Sequence, residues 1–304
     1  EWSRIEPEEG KFNDKEIQHY INVVKALRDR GIEPMITLWH FTNPIWFTEK
    51  GGWLNPDAPE LFRRFIKVVV SALKDQVGLW ITFNEATDVY SSHAYFLHKF
   101  PPLHRNIIEW RRVNKNIIRA HICAYKEIKK LYNHSPVDLK SIEVEPQRFT
   151  EVQPRGNPMS HNVEVGVAVR NTWSVGGKNF YENMIGKIYN YYRNLYFWSK
   201  AFPYYDFMGL NYYEIDRRVP GSYKVLPKQN WWMKDMGWEL YPKGIYNVFQ
   251  QLRKFKKPIF ITENGFSGPD NERQRYIKEH LKWVWQAIQD GTDIQGYTYW
   301  SLLD

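Results

Sequence analysis

Two glutamates, Glu85 and Glu263, are the residues of this sequence best placed to do chemistry together. Each lies at the end of a short apolar run and beside an asparagine, Asn84 before Glu85 and Asn264 after Glu263. Two carboxyl groups can cleave a glycosidic bond, because one protonates the leaving oxygen while the other attacks or stabilises the anomeric carbon. Each segment alone also has a plainer explanation, since a glutamate at a strand end can cap the next helix and Asn264-Gly265 is an ordinary turn sequence. The pair indicates catalysis only if the fold brings both glutamates together.

The elements that must position these glutamates follow a strand, helix, strand, helix order, which predicts parallel α/β architecture. The apolar runs are apolar on both faces, as in strands that helices cover on both sides. The six predicted strands are Glu33–Phe41, Leu79–Glu85, Leu139–Glu145, Asp206–Tyr213, Pro258–Asn264 and Ile294–Leu303. Helices are predicted where apolar residues recur every three or four positions. These sets are Ile17, Ile21, Val24 and Leu27; Leu61, Phe65, Val69 and Leu73; and Ile277, Leu281, Val284 and Ile288.

Two arrangements fit this order, an open doubly wound sheet and a closed (β/α)8 barrel. Polar or aromatic groups follow nearly every predicted strand; they are His40, Asn84, Glu85, Asn211, Tyr213, Glu263, Asn264, Trp300 and Asp304. In a barrel the carboxyl ends of all strands converge on one mouth, whereas in an open sheet only the strands at the switch point meet. The sequence has no G-x-G-x-x-G or Walker motif to suit an open nucleotide-binding sheet. We therefore predict one barrel domain over residues 1–304.

Helix ends and one long loop complete the outline. Asn13 or Asp14 is the predicted N-cap of the first helix, and Pro258 marks the end of another helix before a strand. The basic run Arg253–Lys257 falls at that helix end, where cations suit the helix dipole. The aromatic stretch Lys228–Tyr241 is predicted to be a long loop over the barrel mouth.

Composition limits the classes of function. The net charge is +8, yet Lys and Arg are spread along helical segments beside Glu and Asp, and no nucleic-acid motif accompanies them, so nucleic acid is not an expected partner. The single cysteine, Cys123, excludes an intrachain disulfide and favours a reducing compartment, so we expect a cytoplasmic protein. No apolar run is long enough to span a bilayer. No Cys/His spacing suggests a metal site, and we expect no cofactor.

The segments around both glutamates resemble the acid/base and nucleophile strands of the family 1 glycoside hydrolases, the β-glucosidase and β-galactosidase family. These segments are Trp80–Glu85 and Ile261–Gly265. Further matches occur in the family's order at Trp2–Ile5, Thr37–Phe41, Gly51–Trp53, Gly209–Tyr213, Met236–Trp238 and Tyr299–Leu302. The resemblance covers almost the whole chain and is weakest over Ser141–Phe202. It implies a (β/α)8 barrel and a retaining β-glycosidase.

The resemblance also implies roles for individual residues. Glu85 is the implied acid/base and Glu263 the implied nucleophile, two carboxyl groups about 5–5.5 Å apart in a retaining enzyme. Burial beside a second carboxylate should raise the pKa of Glu85 toward about 6.

The implied sugar-binding residues are His40, Asn84, Asn211, Tyr213 and Trp300. Asn84 would bond the sugar 2-hydroxyl and Tyr213 the nucleophile, while Asn211 supports the same cluster. His40 would contact a sugar hydroxyl and Trp300 would stack on the ring. Core packing is the alternative explanation for His40 and Trp300.

The chain departs from the family pattern at three places. Ala86 follows the acid/base where the family has proline. The family's first strand is absent, Trp2–Ile5 resembles only the end of its second strand, and Asp304 precedes the family's last sugar-binding segment. The sequence is thus expected to be a fragment, a truncated record, or a short form that pairs with a partner or with itself as a homo-oligomer.

Three functions are compared on this basis. The first is an active exo-acting β-glycosidase that takes a β-glycoside or oligosaccharide, and both retained glutamates favour it. The second is a carbohydrate-binding pseudoenzyme or inactive fragment, and the third is a nonenzymatic basic scaffold supported only by the +8 charge. The choice between glucose, galactose and 6-phospho-sugars stays open.

Overall fold

The core of the fold is a six-stranded parallel sheet. The computed structural model describes residues 1–133, 163–174, 179–216, 232–233 and 236–301. The sheet contains β1 (Met35–Trp39), β2 (Leu79–Asn84), β3 (Glu164–Arg170), β5 (Phe207–Asn211), β9 (Ile259–Asn264) and β10 (Ile294–Tyr299). A second, four-stranded sheet contains β4 (Trp173–Ser174), β6 (Ile215–Asp216), β8 (Trp238–Glu239) and β7 (Trp232–Met233), in that order.

The winding of the large sheet confirms the barrel prediction. Its order is β1-β2-β3-β5-β9-β10, so each strand lies beside the strand that precedes it in the sheet along the chain. All five pairs are parallel. A doubly wound sheet would reverse direction at a switch point, and this sheet does not. The structure is a partial (β/α)8 barrel.

Five of the six predicted strands are confirmed, with ends that differ by a few residues. The predicted strand Leu139–Glu145 lies outside the described residues. The third strand of the sheet is β3, which the sequence reasoning missed. Within Lys228–Tyr241, predicted as a loop, the described residues include β7 and β8.

The helices surround this sheet. They are α1 (Trp2–Ile5), α2 (Asp14–Arg28), α3 (Ile45–Glu49), α4 (Ala58–Leu73), α5 (Ser91–Tyr95), α6 (Ile107–Asn133), α7 (Phe180–Asn190), α8 (Tyr196–Ala201), α9 (Lys243–Leu252) and α10 (Asp270–Gln289). Wide π turns cover Ala86–Tyr90 and Tyr191–Leu195, and 3₁₀ turns cover Gly52–Leu54 and Arg253–Phe255. The side chain of Asn13 accepts hydrogen bonds from two backbone N–H groups of α2, which confirms the predicted cap.

The expectation that Trp2–Ile5 ends a strand was wrong, because these residues form the single-turn helix α1. Trp2 is fully buried, and its ring centroid lies 4.8 Å from that of Phe47 and 5.2 Å from that of Phe65. Its indole N–H donates to Glu6 Oε2 at 2.7 Å, and Arg64 pairs with the same buried carboxylate. Aromatic packing and this satisfied charge fix the turn against α4.

The two edge strands, β1 and β10, do not pair with each other. At the mouth, however, the curvature of the sheet brings the rings of His40 and Trp300 to a centroid distance of 6.1 Å. Near β10, helix α10 exposes three large apolar side chains, Leu281, Trp285 and Ile288. Among the described residues, none of the helices combines the length and the apolar character needed to cross a membrane.

Candidate active site

Glu85 follows β2 directly and enters the mouth of the barrel in an unusual backbone conformation. Its N–H donates to the carbonyl of Ala168 on β3 at 2.8 Å, which continues the sheet by one residue. Its φ of 47° and ψ of 34° lie in the left-handed region, which costs of order 1 kcal/mol for a residue other than glycine. The amide of Asn211 donates to its Oε1 at 2.9 Å. These contacts hold a buried carboxyl group in one orientation.

Glu263 lies on β9, two strands beyond β3 in the sheet. The residue is 9% exposed, and its Oε2 accepts a hydrogen bond from the phenol of Tyr213 at 2.7 Å. In the sheet, Glu263 is the direct partner of Asn211 on β5. The side-chain amide of Asn211 also reaches Glu85, so this one residue connects β9 with the end of β2.

A chain of amide hydrogen bonds links the remaining polar residues of the mouth. Asn211 Nδ2 donates to Asn84 Oδ1 at 3.1 Å, and Asn84 Nδ2 lies 3.1 Å from Nε2 of His40. Asn211 Oδ1 accepts from the hydroxyl of Thr262 at 2.6 Å. Since an amide nitrogen only donates, Nε2 of His40 is the acceptor, and its ring remains neutral in this arrangement. The network orients each amide unambiguously.

Trp300 reaches the mouth because glycine, Gly265, directly follows the neighbouring strand β9. A Cβ atom built on Gly265 would lie 2.0 Å from the carbonyl oxygen of Trp300, so only glycine permits this approach. The N–H of Trp300 donates to the carbonyl of Asn264 at 3.1 Å. The indole is 46% exposed and lies beside His40, so its face is available to a ligand.

The structure therefore brings all seven candidate residues to one mouth: His40, Asn84, Glu85, Asn211, Tyr213, Glu263 and Trp300. Asp304, the last residue of the polar set, lies outside the described residues.

Both carboxyl groups have raised pKa values. Burial, followed by the charge of Glu85, raises the pKa of Glu263 to about 7, while Tyr213 and Arg170 oppose the shift. Burial also raises the pKa of Glu85, against the opposing effects of Arg170, Asn211 and Arg193. Two buried carboxyls this close cannot both ionise easily, so the pair holds one proton near neutral pH.

Two site residues, Arg170 and Asp88, were missed by sequence reasoning. Arg170 ends β3, forms an ion pair with Glu214 at 2.8 Å, and lies over the ring of Trp238 at 4.4 Å. The backbone N–H of Arg170 donates to Oδ2 of Asp88 at 2.8 Å, which ties β3 to the turn that follows Glu85. Burial, followed by the charge of Glu85, raises the pKa of Asp88 well above its ordinary range. Arg170 was missed because its strand was not predicted, and Asp88 because only distant contacts bury it.

A cavity of about 730 Å³ opens beside Thr87 and Asp88, two and three residues after Glu85, and none of the seven candidate residues lines it. Asp88, Arg170 and Trp238 line its inner end. Apolar side chains from α5, α6, α7 and the adjoining turns form much of its wall; they include Phe96, Leu97, Ile107, Ile185 and Ile188. Its volume suits a bound group of small-molecule size. In the described ranges, no three His, Cys, Asp or Glu side chains are grouped to hold a metal ion.

A parallel barrel with two buried carboxyl groups at the carboxyl ends of its strands, joined by an amide, has the arrangement that glycosidic-bond cleavage requires. The sequence model of glycosyl hydrolase family 1 matches residues 1–304, and the chain belongs to this family of retaining β-glycosidases.

Named relatives and a solved structure agree with this assignment. The chain is 30% identical to Beta-glucosidase A of Thermotoga maritima, with 100% of this chain and 72% of the relative covered. It is 28% identical to a Beta-galactosidase of Sulfolobus acidocaldarius, with 99% and 64% covered. The solved beta-glycosidase from Pyrococcus horikoshii superposes with a TM-score of 0.82 at 28% identity, over 99% of this chain and 69% of that one.

Proposed function

We propose that the chain hydrolyses terminal β-linked sugars by double displacement, with Glu263 as the nucleophile and Glu85 as the acid/base. The observation that carries the assignment is the hydrogen bond from Tyr213 to Glu263. Burial raises the pKa of Tyr213, so its phenol keeps its proton and donates. Each carboxyl group accepts a hydrogen bond that favours its ionised form, from the Tyr213 phenol at 2.7 Å for Glu263 and from the Asn211 amide at 2.9 Å for Glu85. We take the shorter bond from the phenol as the stronger of the two. We therefore assign the shared proton to Glu85 in the resting enzyme, and we weigh the Tyr213 bond above the charge of Glu85, which by itself would favour the proton on Glu263.

The reaction follows from this distribution of charge. A Glu263 oxygen attacks the anomeric carbon and the bond to the leaving oxygen breaks, while Glu85 transfers its proton to that oxygen. Glu85, now ionised, takes a proton from water, and the hydroxide attacks the anomeric carbon and releases Glu263. The proton has returned to Glu85 and the product keeps the β configuration.

The sugar would lie between the amide network and the exposed indole. Asn84 is placed beside Glu85 to bond a hydroxyl next to the anomeric carbon, and His40 adjoins it. Trp300 offers an apolar face to the ring. The relatives named as a β-glucosidase and a β-galactosidase support glucose or galactose as the terminal sugar. Both retained carboxyl groups argue against a pseudoenzyme.

Two further proposals concern the cellular location and the oligomeric state of the enzyme. We place it in the cytoplasm, because its single cysteine suits a reducing compartment. We also propose that it self-associates, since β1 and β10 are open edges and α10 exposes Leu281, Trp285 and Ile288. Light scattering after size exclusion tests this, and a monomer at micromolar concentration would refute it.

The catalytic assignment is tested with Glu263→Ala in the presence of azide. Azide should enter the vacated position, restore part of the turnover of an aryl β-glycoside, and give a glycosyl azide of inverted configuration. A glycosyl azide of retained configuration would show that Glu263 is the acid/base and would reverse the two roles.

A further inference from the structure

A second groove, about 420 Å³ in volume, lies between α6, α8 and the wide turn Tyr191–Leu195. Four basic side chains line it, Arg111, Lys115 and Arg119 on α6 and Lys200 on α8. The three on α6 are spaced four residues apart, so they share one face of the helix at intervals of about 6 Å. All four residues are exposed to solvent.

The charges of this groove are uncompensated. Within the described part of the chain, no aspartate or glutamate lines it, and none of its four basic residues forms an ion pair. Other basic residues do find partners; Arg63, for example, pairs with Glu60 and Glu127. Four unpaired cations around one groove create a local positive potential that attracts an anion.

Aromatic rings lie among these cations. The rings of Tyr192 and Tyr196 have centroids 5.4 Å apart and are tilted by 32°, and the ring of Trp110 lies 6.0 Å from Tyr192. Tyr192 is 42% exposed, so it offers a ring to a ligand instead of packing in the core. Aromatic faces with interspersed cations suit a chain of apolar-faced rings that carry negative groups.

The groove is continuous with the cavity beside Thr87 and Asp88. Trp110, Arg111 and Tyr192 line both spaces. The cavity extends inward to Asp88 and Arg170, next to the acid/base. The cavity begins two residues after Glu85, so a chain that begins at the glycosidic bond can pass through it to the basic groove. The lining of the cavity is mixed in charge, with the carboxylates Asp88, Glu214, Asp216 and Glu239 beside the cations Lys99, Arg111, Arg170 and Arg193.

We propose that this groove binds the leaving-group side of an acidic oligosaccharide, a chain whose sugars carry carboxylate or sulfate groups. The proposal rests on the proposed glycosidase function and names its substrate class. Single-stranded nucleic acid also suits cations with aromatic rings. The acidic glycan is favoured because the groove leads to the carboxyl pair of a glycoside hydrolase.

The test compares two substrates, a neutral aryl β-glycoside and a short oligouronide capped with the same β-linked sugar. The variant combines Lys115→Gln, Arg119→Gln and Lys200→Gln, three residues that line the groove and not the cavity. Since each exposed cation facing an anion contributes a factor of roughly two, kcat/KM for the acidic substrate should fall about tenfold. Added salt should reduce the difference between the enzymes. Turnover of the neutral substrate should stay within about twofold, which also shows that the variant is folded.

A matched control carries Lys67→Gln, Lys278→Gln and Lys282→Gln, three exposed lysines of α4 and α10 outside the groove. It removes the same charge and should leave kcat/KM for the acidic substrate within about twofold. An equal loss in the control would mean that net charge alone attracts the substrate, and would overturn the proposal.

Direct binding separates this proposal from the catalytic one. An oligouronide without the terminal sugar should bind the inactive Glu263→Ala enzyme, and its methyl ester should bind at least tenfold more weakly. Turnover of the neutral glycoside without oligouronide binding would refute the groove proposal and leave the catalytic assignment intact.

Tighter binding of an oligothymidylate that does not compete with the oligouronide would assign the groove to nucleic acid instead. Oligouronide binding by a chain that hydrolyses neither substrate would support the groove and overturn the catalytic proposal.

Discussion

Replacing Tyr213 by phenylalanine should shift the acidic limb of the pH–rate profile upward. The phenol donates to Oε2 of Glu263 at 2.7 Å and is nearly inaccessible to solvent. A hydrogen bond to a charged group contributes about 1.5–3 kcal/mol, and one pKa unit corresponds to about 1.4 kcal/mol. Loss of the bond removes stabilisation from the ionised form only, so the pKa of Glu263, about 7 in the native enzyme, should rise by about one to two units.

The assay is kcat/KM for an aryl β-glycoside between pH 4 and pH 10, which reports ionisations of the free enzyme. Because the acidic limb moves to higher pH, kcat/KM of Tyr213→Phe at pH 6 should be about tenfold or more below that of the native enzyme. Much of this activity should return at high pH. Tyr212→Phe is the control, because the Tyr212 phenol donates to the carbonyl of Tyr241 at 2.8 Å and not to a carboxyl group. An unmoved limb with uniformly lower activity would show that Tyr213 acts on the sugar and not on the charge of Glu263.

Three further substitutions test the site by other routes. Glu263→Gln should stabilise the fold above neutral pH. Because the pKa of Glu263 is about 7 in the folded protein and about 4.5 in the unfolded chain, ionising this residue costs the native fold about 3 kcal/mol. This free energy of unfolding is lost as the pH rises from about 4.5 through 7. Denaturant titrations should show this gain at pH 8 and none at pH 4, and equal stabilities at both would refute it. Glu85→Ala should lower kcat/KM for an alkyl β-glycoside by a factor of about 10²–10⁴. It should spare a dinitrophenyl glycoside, because that leaving group needs no proton. Equal losses of kcat/KM on both substrates would exclude acid catalysis by Glu85. Gly265→Ala should cost about 1–3 kcal/mol of folding free energy, because its Cβ would meet the Trp300 carbonyl at 2.0 Å; an unchanged melting temperature would contradict that packing.

Local patterns in the sequence were enough to predict five of the six strands of the large sheet and the helices α2, α4 and α10. Five strands of the sheet are short apolar runs bounded by helical periodicity, and each predicted site residue lies on or directly after one of them. Because parallel strands of a barrel share one mouth, placement on a strand end was sufficient to group Glu85, Asn211 and Glu263. The cap at Asn13 was equally local.

Features that depend on long-range contacts were not predicted. β3 has a glutamate at its start and a glycine inside, so its run is less uniformly apolar, and Arg170 was lost with it. The burial of Asp88 depends on a contact with residue 170, 82 positions away. Trp2 sits in a helix and not a strand because aromatic rings from three later elements enclose it.

The charges of the basic groove also depend partly on local sequence and partly on long-range contacts. The sequence suggested that basic residues alternate with acidic ones along the helices. Arg111, Lys115 and Arg119 are four residues apart, a spacing typical of one helix face, but neither this face nor α6 was predicted. That this face lacks carboxylates and meets Lys200 and three aromatic rings emerged only when α6, α8 and the intervening turn were placed together.

Glu85 and Glu263 are expected to form a catalytically active pair in the part of the barrel that the structure describes. The most direct test is hydrolysis of an aryl β-glucoside and an aryl β-galactoside by this 304-residue chain, with Glu263→Ala as the control. We expect turnover of at least one substrate, loss of that turnover in Glu263→Ala, and its partial return with azide. A chain that is folded by circular dichroism and yet hydrolyses neither substrate, or a Glu263→Ala variant as active as the native chain, would contradict it.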